Sequence, residues 1–390
     1  MKHSTNQNQL PNHRRTLIQA SLGVFGSLNL FGLSACGGGG ESTASAVVVP
    51  NVTAQFSKRG FTVPGFSIRT LSALDTSLRA AVDSGANTVI IDYHLVQPGG
   101  LRGNAVIEDF PLDKLIQAVI AAKSLGLTVW VKPIVIVGGY SDPDLTNWQR
   151  LAPTDPAAWF ASYTAQLIAL VGKSGASNID AVLLGNELYS MTTNSSYRQY
   201  WLDLIGRIRN LFRGSIGYNA GGLMGRWDTS QEFSNITFLA QLDFIGISTY
   251  PRLSSKFNAN IDDYRAGWTS NIYGENLLSI LNNFIASTTK EVYLTELGSP
   301  ALQGGIQSLT GAAPPVYDLA QHASFYAASL DVLMSSTGGR LKGVFIYNWH
   351  ANIGSNDGFV ATADRYGPYT WNVYGKPAQE EIRKKFNIRV

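Results

Sequence analysis

From about residue 57 onward, short apolar runs alternate with longer stretches whose apolar positions recur three and four residues apart. That is the mark of strands alternating with amphipathic helices. The spacing predicts strands over residues 60–68, 88–93, 128–131, 181–184, 215–219, 244–250, 291–295 and 343–347. Between them, Leu71, Leu74, Leu78 and Ala81 form one face of a helix that stops at Gly85, and Leu112, Leu115, Ile116 and Val119 form another that stops at Gly126. Asp155-Pro156 opens a third helix, a capping side chain followed by proline at the first helical position. Further helices are expected over 196–212, in a region ending near residue 287, over 316–334 and over 377–386. Ala181-Val182-Leu183-Leu184 is apolar without alternation, as in a parallel strand covered on both faces.

Eight strand–helix alternations predict a (β/α)8 barrel of the TIM class, with loop insertions, over residues 57–390. A doubly wound sheet would want Gly-x-Gly-x-x-Gly after an early strand, and the chain has no such turn there. No internal repeat or second domain is visible.

The first residues read differently. Residues 1–35 carry His13-Arg14-Arg15 ahead of an apolar stretch from Leu17 to Leu33, which reads as a secretory signal. Leu33-Ser34-Ala35-Cys36 resembles a bacterial lipobox, with Cys36 the acylated residue, and Arg14-Arg15-Thr16-Leu17-Ile18 resembles a twin-arginine export signal. The alternative is an ordinary signal with a chance cysteine. Residues 36–56 then form a Gly- and Ser-rich tether. The expected location is a membrane surface reached through the lipid on Cys36. Gly37 lacks the aspartate associated with inner-membrane retention, which points to the outer membrane if the source is Gram-negative.

Cys36 is the only cysteine, so no intramolecular disulfide can form. The formal charge of +3 comes entirely from Lys2, Arg14 and Arg15, because the first thirty-five residues contain no acid. The remaining chain is neutral, which argues against nucleic acid as a partner and suits an uncharged ligand. Five scattered histidines show no metal-ligand spacing, and no metal is expected. Asp142-Pro143-Asp144 reads as a solvated loop.

The chemistry is expected where strands end, since the carboxyl ends of barrel strands carry the active site. Strand four runs into Gly185-Asn186-Glu187, and strand seven into Thr295-Glu296-Leu297-Gly298. Cleaving a glycosidic bond needs a proton donor on one side of the anomeric carbon and a second carboxylate on the other. Retaining enzymes hold the two about 5–5.5 Å apart. Glu187 is expected to be the acid/base, protonated at rest by a less polar pocket and its partner's charge, and Glu296 the ionised nucleophile. Asn186 would donate to the sugar's 2-hydroxyl. His94, Lys132 and Asn219 also end strands and are expected to bind substrate hydroxyls, with a salt bridge as the structural alternative for Lys132. Tyr250 and Trp349 are expected at the mouth, where rings stack on sugar faces. For Tyr140, Trp148, Tyr189, Trp227 and Trp268, packing within loops is at least as good a reading. Trp130, Trp159 and Phe160 are expected in the core.

Together, Val131-Lys132-Pro133, Leu184-Gly185-Asn186-Glu187-Leu188, Asp243-Phe244-Ile245-Gly246-Ile247-Ser248, Leu294-Thr295-Glu296-Leu297-Gly298 and Gly375-Lys376-Pro377-Ala378 resemble a clan A glycoside hydrolase. Within the clan the chain is most similar to family 113, the β-1,4-mannanases. The resemblance implies retaining hydrolysis, no cofactor and a mannan-like β-linked polysaccharide or oligosaccharide as partner. Two departures bear on the sugar. The family often has Gly-Thr-Glu where this chain has Gly185-Asn186-Glu187, and the end of strand eight, Tyr347-Asn348-Trp349-His350, is less aromatic than expected. Galactan, β-glucan and a bacterial exopolysaccharide are alternatives. From another class, a non-catalytic barrel could hold polysaccharide without needing both carboxylates. A lyase or aldolase with a Schiff base on Lys132 is a third reading.

Overall fold

The computed structural model describes residues 56–138, 147–173, 179–224, 231–305, 316–352 and 371–387. Cys36, the signal and tether segments, Tyr140, Trp227 and Asp142-Pro143-Asp144 lie outside the described residues. Eight parallel strands close into a ring: β1 (Lys58–Val63), β2 (Thr88–Gln97), β3 (Thr128–Val137), β4 (Ala181–Asn186), β5 (Ser215–Gly221), β6 (Phe244–Thr249), β7 (Glu291–Leu297) and β8 (Leu341–Tyr347). Each pairs with the next in sequence. The ring shuts where β1 pairs with β2 on one side (Gly60 opposite Thr88) and with β8 on the other (Lys58 opposite Gly343). A two-residue strand, Ile107–Glu108, pairs antiparallel with the end of β2.

Helices α1 (Leu71–Asp83), α2 (Leu112–Ser124), α3 (Pro156–Lys173), α4 (Arg198–Leu211), α5 (Leu277–Ser287), α6 (Leu319–Ser336) and α7 (Pro377–Phe386) surround the ring. Local chemistry sets their ends. Thr70 accepts from the Ala73 amide at 3.1 Å at the start of α1, and Asp155 accepts from Ala158 at 3.1 Å ahead of Pro156 in α3. Gly85 and Gly126 follow α1 and α2 with φ of +89° and +78°, which stops both helices where the glycines predict.

Strands β2 and β3 run on to Gln97 and Val137, well past the expected ends at 93 and 131. Asp92, His94 and Lys132 look like strand ends only because polar residues interrupt an apolar run. In the ring they point inward above a hydrophobic plug. Ile90, Trp130, Ala181, Leu183, Phe244, Tyr293 and Phe345 form that plug, with Trp130 packed on Phe244, Tyr293 and Phe345 at 4.7–5.0 Å between centroids. The much larger core lies between strands and helices and takes in Trp159 and Phe160. β1 is shorter than expected, since Pro64 breaks it and a 3₁₀ turn follows at Gly65–Ser67.

Candidate active site

Two irregularities in the ring place the site. Along β4, Leu183 lies opposite Gly217 and Asn186 opposite Asn219, so β4 carries one residue more than β5. Along β7, Leu294 lies opposite Ile247 and Glu296 opposite Ser248, so Thr295 is extra. A bulge of this kind re-aims the side chains after it. Strict alternation would turn Asn186 and Glu296 out toward the helices. The bulges turn them in.

On the β7 side, Glu296 is held at both oxygens. The Lys132 ammonium contacts Oε1, the Tyr250 hydroxyl donates to Oε2, and Asn219 Nδ2 lies 3.5 Å from Oε1. Lys132 is fully buried and also pairs with Asp92 at 3.3 Å. Asp92 and Lys132 are register partners across β2 and β3, which is what brings them together. Burial works against the Lys132 charge, but Asp92 and Glu296 outweigh it and hold the ammonium's pKa above its usual value. Burial pushes Asp92 up to about 7, against the pull of Lys132. An ammonium held between two carboxyls is a poor nucleophile, which weighs against the Schiff-base reading.

On the β4 side, Glu187 follows the strand in the left-handed region, with φ of +51°. Its amide donates to the Asn219 carbonyl at 2.8 Å and the next amide, Leu188, to the Tyr218 hydroxyl at 2.6 Å. Glu187 Oε2 accepts from Trp148 Nε1 at 3.3 Å and Gln149 Nε2 at 3.0 Å. Burial and the nearby charge of Glu296 push its carboxyl upward, against hydrogen bonds from Ser248, Gln149 and Trp148. This is the state expected of a carboxyl that gives up a proton.

Asn219 ties the two sides together. Its Nδ2 donates to Asn186 Oδ1 and, at 2.9 Å, to Ser248 Oγ, while its Oδ1 accepts from Thr295 Oγ1. Above them Tyr250 packs edge-on to Tyr347 at 5.8 Å and to Trp371 at 5.2 Å. The Tyr347–Asn348 peptide, at the end of β8, is cis.

The expected residues therefore divide. Glu187, Glu296, Asn186, Asn219, Lys132 and Tyr250 share one cluster. Two of them do other work than expected: Lys132 and Asn219 are buried, and their polar atoms are spent on neighbouring side chains rather than offered to a ligand. Trp349 is a correction. It is fully buried in the helix layer, stacked on Tyr374 at 4.5 Å, and its indole donates to the Ser77 side chain of α1 at 2.8 Å. It stands beyond the last residue of β8, where strand alternation no longer holds, and Tyr347 takes the place at the mouth. Trp268 is likewise core, donating to Ser329 of α6 at 3.2 Å. His94 points inward and is nearly buried, packed edge-on to Phe66 at 5.2 Å, and burial followed by the charge of Lys132 lowers it to about 4. Among the described residues, no group of three or more His, Cys, Asp or Glu could hold a metal ion.

The family model of Glycoside Hydrolase Family 113 matches residues 72–376. The chain belongs to glycoside hydrolase family 113. Among solved structures, it is similar to a GH113 β-1,4-mannanase at 20% identity and a TM-score of 0.65, covering 86% of this chain and 100% of that one. A GH113 β-mannanase from Alicyclobacillus acidocaldarius in complex with ManMIm matches at 20% identity and 0.64, covering 85% and 97%. Fungal β-1,4-galactanases share the fold at 16% identity and 0.55, covering 85% and 100%. No curated protein matches the chain. This family 113 chain is thus a glycosidase on a (β/α)8 barrel.

The sequence reading missed Gln149, Asp92, Ser248, Tyr347 and Trp371. Asp92 could have been found from strand register with Lys132. Gln149 sits in a single 3₁₀ turn, too short to carry a periodic signal.

Proposed function

We propose that the protein is a retaining endo-β-1,4-mannanase, exported and anchored through a lipid on Cys36. The observation that carries the chemistry is that two buried carboxylates share one hydrogen-bonded cluster at the ends of β4 and β7, in contrasting environments. Glu296 is paired with a cation and a phenol. Glu187 is pushed toward its protonated form by burial and by the charge of Glu296.

In this reading Glu296 attacks the anomeric carbon while Glu187 protonates the departing glycosidic oxygen. The resulting glycosyl-enzyme ester is opened by water, which Glu187 deprotonates as it enters. Lys132 and Tyr250 aim the Glu296 carboxylate, one at each oxygen, and its negative charge is lost as the ester forms. Asn186 turns its oxygen to Asn219, so its amide nitrogen faces away from Asn219 and can meet the 2-hydroxyl. Tyr250, Tyr347 and Trp371 supply rings beside the nucleophile for a sugar face.

The mannan preference rests on family membership and on the mannanases among the similar structures. The test is a panel of linear β-1,4-mannan, β-1,4-galactan and β-glucan with product sizing. Mannan should give a ladder of short oligosaccharides. Glu296→Ala should abolish turnover with sugar binding retained, and Glu187→Ala should lower it by about 10²–10⁴-fold. Hydrolysis surviving Glu296→Ala would reject the nucleophile, and cleavage of galactan but not mannan would replace the substrate. Anchoring is supported by Cys36 standing after Leu33-Ser34-Ala35. Palmitate labelling of whole cells should disappear in Cys36→Ser.

A further inference from the structure

A further buried carboxylate stands behind the site, and the mechanism above does not use it. Glu232 opens a short helix (Glu232–Asn235) after β5 and is almost wholly inaccessible to solvent. Its Oε1 accepts from the Tyr218 hydroxyl at 2.8 Å and from Thr192 Oγ1 at 2.5 Å, and its Oε2 accepts from the Gly221 amide at 2.7 Å. These partners belong to two segments: Tyr218 and Gly221 to β5, and Thr192 to the short helix (Tyr189–Thr192) that follows Glu187.

Tyr218 is the link forward. Its hydroxyl gives its proton to Glu232 and with its lone pair takes the Leu188 amide. The amide of Glu187 is held at the same time by the Asn219 carbonyl. Two consecutive amides are thus pinned to neighbouring residues of β5. Between them lies the left-handed Glu187, a conformation that costs a non-glycine residue free energy and persists only where its surroundings over-determine it.

We infer that Glu232 is a positioning residue for the acid/base: through Tyr218 it fixes the Leu188 amide, and with it the left-handed turn that aims the Glu187 carboxyl. Neither Glu232 nor Tyr218 faces the Glu187–Glu296 cluster through a hydrogen bond, so both act through the backbone of the turn. Burial pushes the Glu232 carboxyl up to about 8, against the hydrogen bonds from Thr192, Gly221 and Tyr218.

The inference rests on reading Glu187 as the acid/base, and its test separates the two. Aryl β-mannobiosides with a good leaving group (2,4-dinitrophenol) need little protonation, whereas those with a poor one (phenol) need a correctly aimed acid. Tyr218→Phe deletes only the hydroxyl. It should lower kcat/KM for the phenyl glycoside by about ten- to a hundredfold, the scale of a small misplacement, and for the dinitrophenyl glycoside by less than about threefold. Glu232→Gln keeps an acceptor on one side only, so the same selectivity is expected at smaller size. It carries the test if Tyr218→Phe does not fold. Amide exchange followed by mass spectrometry should show faster exchange in the peptide spanning Glu187 and Leu188, and none in the peptide spanning β7. Equal losses on both glycosides, or unchanged exchange at Leu188, would overturn the inference. If the wild-type protein cleaves neither glycoside, the mannan reading fails and the exchange arm still decides this one. If Glu187→Ala itself lacks leaving-group selectivity, the acid/base assignment fails instead.

Discussion

Lys132 is the residue on which the charge balance of the ring interior turns. It is buried between Asp92 and Glu296, so one cation answers two carboxyls. Removing it should leave both without compensation, and Lys132→Met should cost about 3–5 kcal/mol of stability along with activity. Asp92→Asn keeps one Lys–Glu pair and should be far milder. Its effect has a pH signature. Asp92 holds its proton up to about 7 in the folded protein against 3.8 for an ordinary aspartic acid. A group raised on folding contributes stability that is complete below its unfolded pKa and is lost as pH rises through the folded one. The wild type should therefore lose more stability than Asp92→Asn between about pH 4 and pH 7.5. Urea unfolding of both proteins at those two pH values checks this, and parallel losses would contradict it. At this scale the two glutamates and Asn186 were legible in the sequence, because a buried strand that ends in a carboxylate is conspicuous. The roles of Lys132 and Asn219 were not, since burial inside the ring, rather than position at its rim, decides whether a polar side chain meets ligand or protein.

At the scale of elements, the bulges in β4 and β7 make the site. Their cost is crowding, and glycines relieve it. A Cβ on Gly246 would lie 2.3 Å from Thr295 Oγ1, and one on Gly298 would lie 2.6 Å from the Tyr250 ring. Gly246→Ala should push Thr295 off Asn219 and lower kcat more than it raises KM, with about 1–3 kcal/mol of destabilisation from overpacking. Steady-state kinetics beside thermal unfolding would check it, and wild-type kcat in a folded variant would show that Thr295 tolerates displacement. The order and kind of elements followed from apolar spacing, and α7 occupies the expected 377–386. The bulges were invisible, because a period of two has no sign for an inserted residue. Trp349 was misplaced for another reason: it lies beyond Tyr347, the last residue of β8, where alternation no longer says which way a side chain turns.

For the molecule as a whole, closure of the ring is the central fact, and eight alternations were enough to expect it. The closure is clasped by α7, whose Ala378, Ile382 and Phe386 are buried and whose Phe386 ring lies 5.8 Å from Phe61 of β1. Phe386→Ala should cost about 3–5 kcal/mol while leaving kcat at low temperature unchanged, because the cavity it opens lies against the helices and away from Glu187 and Glu296. A matched fall in kcat at a temperature where the variant is fully folded would mean that the clasp reaches the site. Closure also bears on biosynthesis. The first strand waits for residues 341–347, which are made after every other strand of the ring, so a nascent chain remains an open sheet with an unpaired edge until they emerge.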